Sequence, residues 1–315
     1  MTTVLSRCFR LIDKISKNFL PLLHLLIFCC SSAFTQAHST GGLRGQIEQI
    51  SRTAKGRVGV AMTLLETGES LSLNGKEHFP MQSVYKFPIA MAVLQQVDAG
   101  KLKLEQMVSV EKSDFVTPYQ RSPIRDRYPQ GVKLSVKELL RYMVSESDGT
   151  ACDVLLWVVG GAPVVMQYLR GLGVNGVIVE TTEKVMGHDQ TAQYRNWAAP
   201  EEMLLLLNRF SSGKGLSASS RQLLMQHMIV TPTGLKRLKG LLPAGTIVAH
   251  KTGTSGTSEG MTAATNDVGI ITLPDGRHLA IAVFVSDARA SEAEREGVIA
   301  RIARAAWDYW SSKRR

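Results

Sequence analysis

The sequence predicts an α/β chain of the α+β kind: an antiparallel sheet flanked by helices, with an all-helical domain inserted between its first and last strands. Three observations carry this. Strand-like segments rich in β-branched residues fall near the two ends, at 57–73 and 246–285. The middle, from Ser83 to about His227, shows apolar residues at helical spacing. Two polar stretches, Ser113–Gly131 and Glu180–Ala199, interrupt that middle, and irregular stretches of such length in a compact domain are usually functional. A sheet completed by both ends of the chain leaves a cleft between two lobes, where a ligand binds.

The first 37 residues stand apart. Arg7, Arg10, Lys14 and Lys17 form a basic region, and Leu20–Cys30 is an apolar run too short for a comfortable membrane span. Small residues follow, with cleavage expected after Thr35-Gln36-Ala37 or after Ser31-Ser32-Ala33. Residues 1–37 therefore read as a secretory signal peptide, and the mature protein as periplasmic. Three of the four cysteines lie in this leader. Only Cys152 remains beyond it, in an apolar helix-like stretch, as a core thiol.

Spacings of three and four at Leu43, Ile47, Ile50 and Ala54 predict an amphipathic helix. Arg57–Leu65 and Ser70–Leu73, joined at Glu66-Thr67-Gly68, predict a hairpin. Helices are expected at 87–99, 136–144, 150–159, 163–171, 200–210 and 219–228. Strands are expected at 246–255, 263–273 and 278–285, with Asp275-Gly276-Arg277 as a tight turn. A last helix, 291–310, carries Val298, Ile299, Ile302, Ala305, Ala306 and Trp310 on one face. The expected division is 38–79 with 230–315 as the sheet domain, and 80–229 as the helical domain, including a loop at about 180–199.

The hydrophobic fraction of 44% and charged fraction of 20% are those of an ordinary globular protein. The net charge of +10 falls to +7 without residues 1–37, which hold four basic residues and one acidic one. No basic stripe with interleaved aromatics accompanies that charge, so no nucleic acid is expected as a partner. The mild excess fits anionic small molecules. No His lies at ligand spacing from another His or a Cys, so neither a metal nor a cofactor is expected.

Chemistry points first to Ser83-Val84-Tyr85-Lys86. Residues three apart share a helix face, so the hydroxyl and the amine can meet. A serine becomes a useful nucleophile only when a neighbour takes its proton. The same S-x-x-K spacing recurs at Ser109–Lys112 and Ser211–Lys214, but only the first copy leads into a long apolar run, Phe87–Val97. Three motifs follow it in order: Ser147-Asp148-Gly149 at the start of an apolar helix, Glu183 in the second irregular stretch, and Lys251-Thr252-Gly253 at a strand end, continuing as Thr254-Ser255-Gly256.

Together these resemble the active-site serine β-lactamases of class A, with their S-x-x-K, S-D-N and K-T-G elements. The wording is most like the PER-like extended-spectrum branch at Gln193-Tyr194-Arg195-Asn196-Trp197, at Leu238-Lys239-Gly240-Leu241-Leu242-Pro243 and at His250-Lys251-Thr252-Gly253-Thr254. The resemblance implies the β-lactamase/transpeptidase fold, with the active site in the cleft. It also implies roles. Ser83 would attack the β-lactam carbonyl, with Lys86 accepting or relaying its proton. Ser147 would protonate the departing ring nitrogen. Lys251 and Thr252 would hold the substrate carboxylate. The backbone N–H groups of Ser83 and Thr254 would form the oxyanion hole. Glu183 would activate the deacylating water, and either Lys86 or Glu183 could be the acylation base. Arg237 is a second candidate for the carboxylate, since a guanidinium suits bidentate contact. Its alternative is a solvated helix-end arginine.

Three positions depart from the family. Gly149 stands where an asparagine amide would meet the substrate's acylamino group. In the loop, Thr181 stands for an arginine and Gly187 for an asparagine, so Glu180 rivals Glu183, and His188 or a backbone carbonyl is left to hold the water. Gln82 and Ser255 stand where some carbapenemases carry a cysteine pair. A monomer acting on a small-molecule β-lactam is expected, with no stable membrane association. The alternatives are a D-alanyl-D-alanine peptidase and a non-hydrolytic β-lactam sensor.

Overall fold

The computed structural model describes residues 41–313; the signal peptide and its cleavage point lie outside them. The chain divides into two units, 1–45 and 46–315. In the first, residues 41–45 are helical, and the second opens with helical residues 46–52. All that follows concerns the second unit.

Its centre is an antiparallel sheet in the order Ser70–Leu73, Arg57–Leu64, His278–Ala288, Met261–Thr272, Val248–Thr254, with Thr257–Ser258 pairing onto Met261–Thr272. The first long strand lies against the last, Val60 opposite Val283, so the two ends of the chain complete one sheet as expected. Seven of the eight residues of Arg57–Leu64 are buried, which is why it reads as an apolar run rather than an alternation. Helix Pro200–Ser211 packs on Arg57–Leu64 and His278–Ala288, and helix Glu292–Ser312 on the last two long strands. That last helix begins with a capping box. The Ser291 hydroxyl accepts from the Glu294 N–H, and the Glu294 carboxylate accepts from the Ser291 N–H. The six apolar residues that predicted its inner face are all buried.

The helical lobe surrounds helix Lys86–Asp98, whose first nine residues are all buried. A helix that is apolar all round belongs at the centre of a bundle. It packs against helices Val136–Val144, Gly149–Val158, Ala162–Gly171 and Ala218–Ile229.

The structure corrects several local expectations. Ser83 lies in a 3₁₀ turn, Gln82–Tyr85, and the α-helix begins at Lys86. The middle of the chain also holds short strands: Met107–Val110 pairs with Val132–Ser135, and Trp197–Ala198 pairs with both Phe79–Pro80 and Val177–Ile178. Two to four residues are too few to show a period of two. Each irregular stretch contains one short α-helix, Pro123–Arg127 capped by Ser122 and Glu183–His188 capped by Thr182, and the second also holds a 3₁₀ helix, Gln190–Arg195.

One contact sets the position of the catalytic-looking strand. A Cβ at Gly253 would overlap the Met81 carbonyl oxygen. The strand can lie this close to the turn carrying Ser83 only because residue 253 has no side chain. Asn266, beside Gly253 in the sheet, donates from Nδ2 to the carbonyls of Pro80 (2.8 Å) and Met81 (3.1 Å) and so fixes the same approach. Gly253→Ala is expected to cost about 1–3 kcal/mol through overpacking. A urea midpoint unchanged from wild type would contradict this account.

Candidate active site

Ser83, Lys86, Ser147, Glu183, Thr252 and Thr254 line one cleft of about 540 Å³. Two residues at its edge hold left-handed backbone conformations without being glycine: Gln82, φ +47°, and Ser147, φ +59°. Such strain persists where surrounding structure enforces it, and one of the two residues is Ser147 while the other, Gln82, directly precedes Ser83. Asp148, not Ser147, caps helix Gly149–Val158, accepting from the Ala151 N–H at 2.8 Å. The Ser147 hydroxyl is thereby released from capping and reaches the cleft.

Lys86 Nζ donates to Ser83 Oγ at 2.6 Å and to Glu183 Oε1. Lysine and glutamate are both buried, with side chains 1% and 8% exposed. Burial, the largest influence, would lower the lysine's pKa, but the Glu183 carboxylate and smaller contributions from its neighbours together make the net shift upward. Lys251 Nζ donates to Ser147 Oγ at 2.8 Å and to the Thr252 carbonyl at 3.0 Å. Its burial, and then repulsion from Lys86, push it well below the usual lysine range. Lys86 and Lys251 are both buried amines, 1% and 0% exposed. The structure divides them, because only Lys86 has a carboxylate in direct contact.

Glu180, the rival for Glu183, is half-exposed and bonds Arg195 Nε at 2.8 Å on the surface. His188 is exposed and away from the cleft. The loop does without the family's arginine by another route. Asn196 accepts at Oδ1 from the Glu180 and Thr181 N–H groups (2.8 and 2.9 Å) and donates from Nδ2 to the Thr181 carbonyl (2.9 Å), closing the two ends of the loop. Asp153 holds the start of the loop helix, accepting from the N–H groups of Glu183 (2.8 Å) and Lys184 (2.9 Å).

Arg237 is neither a solvated arginine nor a free bidentate clamp. It is 4% exposed. Its Nη1 donates to the Gly253 and Asn266 carbonyls, both at 3.0 Å, its Nη2 to Thr254 Oγ1 at 2.7 Å, and its Nε to Glu296 at 3.2 Å. Most of its donors hold the strands, and it also lines the cleft itself, beside Thr254. At Gly149 a Cβ would lie 3.3 Å from Val116 Cγ1 and 3.4 Å from the Arg121 carbonyl, so the room left by the missing amide is already narrowed by that segment. Cys152 is buried and bonds Tyr85 at 3.2 Å, and burial pushes its thiol up, as for a core cysteine.

Sequence reasoning missed four residues that complete the site. Thr233 bonds Thr252 (Oγ1–Oγ1 2.9 Å), Gln82 bonds Gln193 (2.6 Å), Asp153 holds the loop, and Gln120 reaches Glu183. None carries a local signal, since their partners lie 19 to 111 residues away.

With this geometry in place, the comparisons with known proteins agree. The profile of the β-lactamase enzyme family matches residues 42–310, and the chain belongs to that family. Within it, the chain groups with the class A enzymes. It is 40% identical over 302 residues to β-lactamase VEB-1 of Pseudomonas aeruginosa, covering 95% of this chain and all of that one. It is 44% identical over 286 residues to the extended-spectrum β-lactamase PER-1 of the same species, covering 90% and 92%. A solved β-lactamase structure from Chitinophaga pinensis is 52% identical, covers 85% of this chain and 98% of its own, and superposes with a TM-score of 0.83.

Asp153 gives the site a pH signature. Burial, and then the neighbouring Glu183, push its carboxyl from the ordinary 3.8 up to about 7. An acid raised on folding holds its proton more tightly when folded. Its stabilising contribution is thus full below 3.8 and is lost as pH rises through about 7. Asp153→Asn is expected to remove that component, flattening the fall in urea midpoint between about pH 5 and about pH 8. An unchanged slope would assign the carboxyl an ordinary pKa.

Proposed function

We propose that this protein hydrolyses the β-lactam ring of penicillins and cephalosporins through an acyl-enzyme on Ser83, and so confers resistance to them. The observation that carries this reading is the bridge made by Lys86, which touches the Ser83 hydroxyl and the buried Glu183 carboxylate at once. In acylation, Ser83 Oγ bonds to the ring carbonyl carbon. Its proton passes to Lys86, which relays one to Glu183. The carbon–nitrogen bond breaks as Ser147 gives its proton to the ring nitrogen and takes in its place the proton that left Ser83, returned by Glu183 through Lys86, while Lys251 Nζ, 2.8 Å away, orients the Ser147 hydroxyl. In deacylation Glu183 is again a carboxylate: water adds to the ester carbonyl carbon as its proton goes to Glu183, the bond from that carbon to Ser83 Oγ breaks, Oγ recovers the proton through Lys86, and the penicilloate-type acid leaves.

Lys251 and Thr252 hold the substrate carboxylate, with Thr233 fixing the Thr252 hydroxyl. Arg237 sets Thr254, whose N–H joins that of Ser83 in the oxyanion hole. Gly253 serves by letting the strand come close. Among the described residues no single helix is long and apolar enough to cross a membrane. The protein acts as a monomer in the periplasm after removal of residues 1–37, and 38–79 with 230–315 and 80–229 form the two lobes.

The burial of Glu183 against Lys86 favours hydrolysis over the sensor reading, which has no need of a deacylating base. Purified mature protein is expected to turn over a chromogenic cephalosporin many times. A single stoichiometric burst would support the sensor or the peptidase instead. Mass spectrometry is expected to find Glu183→Gln accumulating an acyl-enzyme, Ser83→Ala forming none, and Glu180→Gln turning over as wild type does. Accumulation in Glu180→Gln and not in Glu183→Gln would reverse the assignment of the base.

A further inference from the structure

The loop that carries Glu183 has no side chain at Gly187, and the space is not empty. A Cβ there would overlap Gln120 Oε1 and come within 2.9 Å of Thr117 Cγ2. Gln120 belongs to the other irregular stretch, and its side chain enters the loop through this opening. Its Nε2 donates to the Glu183 carbonyl and, at 3.2 Å, to Glu183 Oε2. Its Oε1 accepts from the Thr117 N–H (3.2 Å) and Thr117 Oγ1 (3.0 Å).

These four contacts allow one orientation of the amide. Turned over, it would set its NH₂ group against an N–H and its oxygen against two acceptors. The segment beneath is itself fixed: Arg125 Nη1 donates to the carbonyls of Thr117 (2.6 Å) and Gln120 (3.1 Å). The Glu183 carboxylate is then held at both oxygens, Oε1 by Lys86 and Oε2 by Gln120. Two donors on a carboxylate fix its plane, and a base displaced by an ångström loses much of its effect.

We propose that Gln120 is the positioning residue for deacylation, holding the Glu183 carboxylate in the place where the loop supplies no side chain of its own, and that Gly187 is the opening that admits it. The proposal rests on the reading of Glu183 as the base that frees the acyl-enzyme. The amide's two N–H bonds are both spent on Glu183, so its action on the water is indirect, through the direction in which Oε2 faces.

The test compares wild type, Gln120→Ala, Gln120→Met, Gly187→Ala and the pair Gln120→Ala/Gly187→Ala with a chromogenic cephalosporin, each variant's melting temperature being measured alongside. The loss of one hydrogen bond to a charged group predicts a fall in kcat of roughly ten- to a hundredfold. KM is expected to fall in parallel, leaving kcat/KM little changed, with acyl-enzyme accumulating by mass spectrometry. Gly187→Ala should reproduce this by expelling Gln120, and the double variant should be no worse than the poorer single one. Gln120→Ala/Gly187→Asn, which returns an amide to the loop, should recover turnover. Wild-type kcat in both Gln120 variants would overturn the proposal, as would a fall in kcat/KM without accumulated acyl-enzyme. If wild type itself stops after one turnover, the hydrolytic reading fails instead.

Discussion

The buried ion pair between Lys86 and Glu183 is the constraint on which the rest of the site depends. It joins the first residue of the central helix to the first residue of the loop helix, two elements 97 residues apart. Two charges withdrawn from water are tolerated only with close contact and further hydrogen bonds. The structure supplies these from every side: Ser83 Oγ on the lysine, Gln120 on the carboxylate, and Asp153 on the N–H of Glu183. Removing either charge leaves the other buried alone, which in proteins costs about 3–5 kcal/mol. The pair therefore anchors the loop as well as placing a carboxylate and an amine beside the Ser83 hydroxyl.

The opposite wall is built by close approach rather than by charge pairing. Val248–Thr254 is an edge strand, and Lys251 has no carboxylate in hydrogen-bond contact. Its amine is held by Ser147 and by a backbone carbonyl, in a site that disfavours its proton. An anion at this wall would meet a buried amine that lacks a carboxylate partner among the described residues. Arg237 serves the same wall, balanced by Glu296, and its five donors go mainly to the strand.

Much of this was legible in the chain. Apolar runs near the two ends announced a sheet closed by both, and Phe87–Val97 announced a buried central helix. Of three S-x-x-K tetrapeptides, only the one at Ser83 brings hydroxyl and amine together on a buried helix start. Ser109 is an exposed strand residue, and Ser211 is the half-buried last residue of the helix that packs on the sheet. The departures Thr181 and Gly187 were legible as gaps but not as solutions. Asn196 and Gln120 fill them from 15 and 67 positions away in sequence, and an amide placed so far off carries no local pattern.

The sequence by itself determined the order of elements, the buried faces of the long helices and strands, and the set of groups that carry the chemistry. These follow from periodicity and from residue type, which are local properties. Only the tertiary structure decided which of two close glutamates is buried against Lys86, which of two lysines keeps its charge favoured, and that Arg237 is buried against the strand ends at the cleft. Each of those depends on desolvation and on partners brought from remote parts of the chain, and neither is written in any short stretch of it.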